Sequence, residues 1–172
     1  MTILRRGFVA ASVVWALLLP AATFAASHAA PAPFWYALIF VVYGAGSVVC
    51  HQLPSRSFYL WAAQMPVCAR CTGIYIGAAA AAVVATIRLR QKIRLKPPFD
   101  TSAYEARVML TIAALPTALT LIYEWTTRDT PSNAIRALAG VPLGAAVALV
   151  IVNTLRSPVE ARPEGRALHF RR

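Results

Sequence analysis

Five apolar runs dominate this chain: Phe8 to Ala26, Phe34 to Val49, Thr72 to Ile87, Val108 to Tyr123 and Ile135 to Leu155. A helix of about 20 apolar residues is long enough to cross the hydrocarbon core of a bilayer. Helices satisfy their own backbone N–H and C=O groups, which lipid cannot do. The runs therefore predict an all-α fold, a polytopic membrane bundle of four or five transmembrane helices. Composition agrees: 59% of residues are hydrophobic and 13% charged, with a mean hydropathy of +0.60. Soluble domains carry about 25% charged residues.

Seventeen basic and six acidic residues give a formal net charge of +11. The basic residues cluster between Arg88 and Lys96, where five occur without an acid, and in the tail after Arg156. Such clusters mark cytoplasmic segments facing anionic lipid. No platform of interleaved aromatic and basic residues accompanies them, so a nucleic-acid partner is not expected. The lipid bilayer is the expected partner, and protein partners are not specified. Five full crossings with the basic loop inside would place Arg5 and Arg6 outside. That conflict disappears if one of the first two runs does not cross. The loop carries more charge than the N-terminus and decides the orientation, which puts the segment between runs two and three outside the cytoplasm.

The chain divides into an N-terminal hydrophobic helix and linker (1–33), a membrane domain (34–155) and a basic tail without apolar periodicity (156–172). The first run has the basic start and small-residue end of a signal peptide. Its length exceeds a usual signal core and favours a retained first helix. Run two opens on the aromatic belt Phe34, Trp35 and Tyr36, and Gly44 and Gly46 suit it to close helix contact. His28 in the linker and His169 in the tail read as solvated.

The chemistry is concentrated between Cys50 and Gly77, which holds all three cysteines, His51, Gln52, Arg56, Gln64 and Arg70. Cys68 and Cys71 form a Cys-x-x-Cys pair where run three begins, a spacing that turns both sulfurs toward one ligand or one disulfide. Cys50 and His51 lie where run two ends, so a helical hairpin could bring them to the pair. Three readings follow. Cys50, His51, Cys68 and Cys71 supply ligands for a metal, zinc by ligand type, although adjacent residues such as Cys50 and His51 rarely face one ion. Alternatively Cys68 and Cys71 are a thiol–disulfide redox pair with Cys50 as the exchangeable thiol. Otherwise they are small buried cysteines. Arg56 and Arg70 suit snorkelling at the interface or, together, an anionic head group or phosphate, as in a non-catalytic lipid-binding or assembly subunit.

Glu124 and Arg136 face each other across the loop Thr126 to Asn133 and are expected to pair, with an acid–base role as the alternative. Asn133 is the expected cap of the fifth helix. The segments CHQLPSRSF, QMPVCARCTGIYIG and SNAIRALAGVPLG resemble the bacterial and archaeal membrane proteins grouped as domain of unknown function 2085. The resemblance runs from about Cys50 to Gly144. It marks Cys50, His51, Gln52, Arg56, Ser57, Gln64, Pro66, Cys68, Arg70, Cys71, Gly73, Tyr75 and Gly77, then Asn133, Arg136, Gly140 and Gly144. It implies a multi-pass protein of the cell membrane and a shared polar site, with no established activity. Family members often carry Asp where Glu124 stands.

Overall fold

The computed structural model describes residues 3–28, 33–90 and 103–155. The elements run in order α1 (Ile3–Ser27), α2 (Pro33–Val49), a 3-10 turn (Pro54–Arg56), β1 (Ser57–Leu60), β2 (Ala63–Cys68), α3 (Ala69–Arg90), α4 (Ala103–Thr127) and α5 (Asn133–Thr154). The all-α bundle expected from the apolar runs is present. Four helices among the described residues, α1, α3, α4 and α5, are long and apolar enough to cross a membrane. Ile112, Leu115, Leu119, Ile122 and Trp125 of α4 stay exposed, a surface that suits lipid and not water. Most of the basic stretch after Arg90, and the tail from Arg156, lie outside the described residues.

The bundle is held by α3 against α5, the most extensive helix contact in the structure. Both helices carry glycines four residues apart, and these let the backbones touch. A Cβ on Gly73 or Gly77 would lie 1.9 or 2.2 Å from the carbonyl oxygens of Ala137 and Val141. One on Gly140 or Gly144 would lie 2.4 or 1.9 Å from those of Arg70 and Ile74. Small residues at i and i+4 are how helices approach closely in lipid, where no hydrophobic effect drives them together. These pairings make α3 and α5 parallel. Thr117 on α4 donates to the Ala139 carbonyl at 2.8 Å, and α4 returns antiparallel to α5 across the short loop.

Helix α1 runs antiparallel to α3. Near its start Phe8 and Val9 pack on Ala82, Ala148 and Val152. Toward its end Leu19 and Ala22 join Val42, Cys50, Met65 and Val67 in a second cluster. The Arg5 end of α1 and the Arg88 end of α3 therefore share one end of the bundle, and Cys50 lies at the other. Helix α2, at 17 residues, is shorter than the four membrane-length helices and ends at the Cys50 end. Arg5 is itself buried.

Two local features differ from expectation. The segment before α3 is a β-hairpin, pairing Ser57 with Cys68, Tyr59 with Gln64 and Leu60 with Ala63. The register shifts between Ser57 and Tyr59, opposite the stretch holding Pro66, which has no N–H to give to a ladder. Its two-residue turn, Trp61 and Ala62, has φ of 50° and 64°, as a type I′ turn requires. Neither is the usual Asn or Gly, so turn chemistry does not announce the hairpin. The second difference concerns Gly44 and Gly46. Gly44 has open space beside it, while Gly46 lies against the Pro66 carbonyl of β2 and not against a helix.

Replacing Gly144 by Val should force α3 from α5 and cost at least about 1–3 kcal/mol, the usual range for overpacking. Gly44→Ala should be neutral or slightly stabilising, since Gly in a helix costs about 0.5–1 kcal/mol relative to Ala. Thermal unfolding midpoints of the two variants in one detergent check the contrast.

Candidate functional site

Each sulfur arrives from a different local structure. The helix α2 closes with the Cys50 N–H on the Gly46 carbonyl at 2.9 Å, and Cys50 is buried. Cys68 is the last residue of β2, and its N–H donates to the Cys50 sulfur at 3.1 Å. Cys71 follows in the first turn of α3. The three Sγ atoms lie within 4.8 Å of one another. Hydrogen bonding, first from the Cys71 thiol, lowers the Cys68 thiol from its ordinary value to about 5. His51 stands outside the group of three: it is exposed and lies on the wall of the adjoining cavity.

Gln52 and Gln64 build the frame around the sulfurs. Gln52 has a φ of 49°, a conformation that costs a non-glycine residue of the order of 1 kcal/mol. Its side-chain amide holds it there, donating to the Tyr43 carbonyl at 2.9 Å and the Pro66 carbonyl at 2.7 Å. Gln64 returns the connection, its Nε2 donating to the Gln52 carbonyl at 2.6 Å. The Tyr43 hydroxyl donates to the Gln64 carbonyl. These bonds tie the end of α2 to β2 and so fix Cys50 beside Cys68.

Beside the thiols, three arginines converge on one carboxylate. Glu124, near the end of α4, accepts from Arg70 Nη2 at 2.9 Å and Arg136 Nε at 3.0 Å, both on Oε1. Arg56 Nη1 lies 3.4 Å from Oε2. Arg70 also donates to Thr120 at 3.2 Å. The side chains of Glu124 and Arg136 are each 2% exposed, whereas that of Arg56 is 39% exposed. The expected pairing of Glu124 with Arg136 is present, and it includes Arg56 and Arg70, which the sequence leaves as a separate pair. Asn133 does not cap α5, because it is already the first residue of the helix. Ser132 is the cap, its hydroxyl accepting from the Ile135 N–H at 3.3 Å. Asn133 instead donates to the Ser57 carbonyl at 2.9 Å and receives Arg136 Nη1 at 3.4 Å, which fastens α5 to the hairpin. A cavity of about 350 Å³ joins thiols and arginines, lined in part by Cys50, His51, Arg56, Cys68, Arg70, Cys71 and Arg136.

A helical bundle with four membrane-length spans, carrying thiols and arginines around one cavity, defines a polytopic membrane protein with a polar site at one end. The chain belongs to the family described as predicted membrane protein (DUF2085), which it matches over residues 50–150. It is 48% identical over 44 residues to an uncharacterised protein of Methanocaldococcus jannaschii, a match covering 26% of this chain and 28% of that one. An uncharacterised protein of Methanothermobacter thermautotrophicus is 53% identical over 30 residues, covering 17% of this chain and 27% of the relative. The chain thus spans little more than a quarter of the length of these relatives. No solved structure matches.

Removing one partner from a buried ion pair strands the other, a loss of about 3–5 kcal/mol. Glu124→Ala, which leaves Arg136 buried without its acid, should cost that much. Arg56→Gln, at a pair open to solvent, should cost less than about 1 kcal/mol. Chemical unfolding of both variants in detergent measures the difference.

Proposed function

We propose that this protein holds a zinc-class metal ion at the membrane boundary through Cys50, Cys68 and Cys71. The convergence of the three sulfurs within 4.8 Å carries the reading. Tetrahedral zinc with Zn–S bonds of about 2.3 Å needs sulfurs about 3.8 Å apart, within reach of small side-chain rotations here. Three thiolates and a divalent ion sum to one negative charge, and Arg56, Arg70 and Arg136 against Glu124 supply compensating positive charge nearby. A fourth ligand position would open to the cavity, where His51 or a small molecule could fill it. Three protein ligands plus one open place is the pattern of zinc sites that act on a ligand, whereas purely structural sites are closed.

The orientation belongs to the same proposal. With the Arg5 and Arg88 ends of the bundle cytoplasmic, the thiols face the opposite side of the cell membrane, and α1 is a retained span. Its Leu19 and Ala22 support that, since they pack directly against the residues beneath the thiols.

Thiol–disulfide exchange is the second reading, favoured by the Cys-x-x-Cys pair at the start of α3 with Cys50 in contact. One preparation separates the two. Elemental analysis of protein purified without chelator should find close to one zinc-class ion per chain, retained in His51→Ala and lost in Cys68→Ser. Protein without metal, whose thiols label only after reduction, would establish the redox reading instead. For orientation, a membrane-impermeant thiol reagent applied to intact cells should reach the metal-stripped cysteines. Labelling only after lysis would reverse the topology.

A further inference from the structure

The arginine cluster has more positive charge than its acid can balance. Arg56, Arg70 and Arg136 meet one carboxylate, Glu124, and a guanidinium does not shed its proton in a protein. The hydrogen bonding is incomplete as well. Arg136 is 2% exposed, yet its Nη2 is buried with no partner among the described residues, and the same holds for Nε of Arg70. Glu124 Oε2 accepts no hydrogen bond and faces Arg56 Nη1 at 3.4 Å. Interiors leave few polar groups unmatched. Arg56, Arg70 and Arg136 line one cavity together with apolar Val49 and Leu53.

We propose that the cavity binds a terminal phosphate group. Its anionic oxygens would pair with the guanidinium groups of Arg56, Arg70 and Arg136 that line the cavity, as planar guanidinium forks do with phosphate. A carboxylate or a phosphodiester carries one negative charge, whereas the three arginines exceed Glu124 by two. The cavity exceeds the size of a bare phosphate, and its apolar wall leaves room for an ester substituent. The group can come from a membrane lipid with a phosphomonoester head or from phosphate in solution. The proposal does not depend on a metal at the thiols.

The test uses the full chain in phosphatidylcholine nanodiscs, titrated calorimetrically with inorganic phosphate and then with acetate. Parallel discs contain phosphatidic acid, and bound lipid is counted by native mass spectrometry. Saturable phosphate binding near one per chain is expected, with acetate at least tenfold weaker. Arg56→Gln, chosen because its exposed position spares the fold, should weaken phosphate at least tenfold. Phosphatidic acid retained one per chain, and excluding phosphate, assigns the group to lipid; phosphate binding without that retention assigns it to solution. The proposal is overturned if neither binds, if acetate matches phosphate, or if Arg56→Gln, shown folded by its unfolding midpoint, binds as the parent does. Metal content measured on the same samples keeps the two readings apart: metal-free protein that binds phosphate counts against the metal centre alone, and metal-loaded protein that does not bind counts against this site alone.

Discussion

Gly73 and Gly77 of α3 lie against the carbonyls of Ala137 and Val141, and Gly140 and Gly144 of α5 against those of Arg70 and Ile74. The placement of the site depends on this contact. Arg70 stands on α3 and Arg136 on α5, and both reach a single oxygen of Glu124 on α4. Helices held apart by ordinary side chains would sit 8–10 Å between axes, and the two guanidinium groups would have to span that gap. Glycine brings the helices together and the charges with them.

The carboxylate in turn explains why three arginines can share so small a space. Close guanidinium groups repel strongly where water is scarce. Glu124 Oε1 bridges two of them, and the other carboxylate oxygen faces the third. Asn133 extends the network to the hairpin through the Ser57 carbonyl. Gln52 and Gln64 do the equivalent on the thiol side. Thiols and arginines are therefore two halves of one framework, with β2 leading from the glutamine bonds into Cys68 and α3 carrying Cys71 beside Arg70.

Much of this was legible in the sequence, for reasons that differ by residue. The helices followed from apolar runs that only a bilayer accommodates, and the pairing of Glu124 with Arg136 from two opposite charges across a short loop. The thiol cluster was foreshadowed by Cys50 preceding, and Cys68 and Cys71 closing, one connection. The glycine spacing was also there to be read, as Gly-x-x-x-Gly in both α3 and α5, but one chain does not reveal which helices pair. The hairpin left almost no signal, because Trp61 and Ala62 are not turn formers. The role of Gln52 escaped because its positive φ is set by tertiary hydrogen bonds. His51 adjoins Cys50, yet the chain turns there and leaves the imidazole outside the sulfur group.

The interlocked glycines also have a mechanical consequence. With carbonyls seated in the notches of both helices, α3 and α5 cannot slide past one another along their axes without backbone collision. They act as a single strut about 30 Å long, given the rise of 1.5 Å per residue. Displacement of one of these helices along its axis would carry the other with it, so Cys71, Arg70 and Arg136 move as a group, and adjustment at the site falls to Glu124 on α4, to Cys50 on the short α2, and to the hairpin that joins it to the strut.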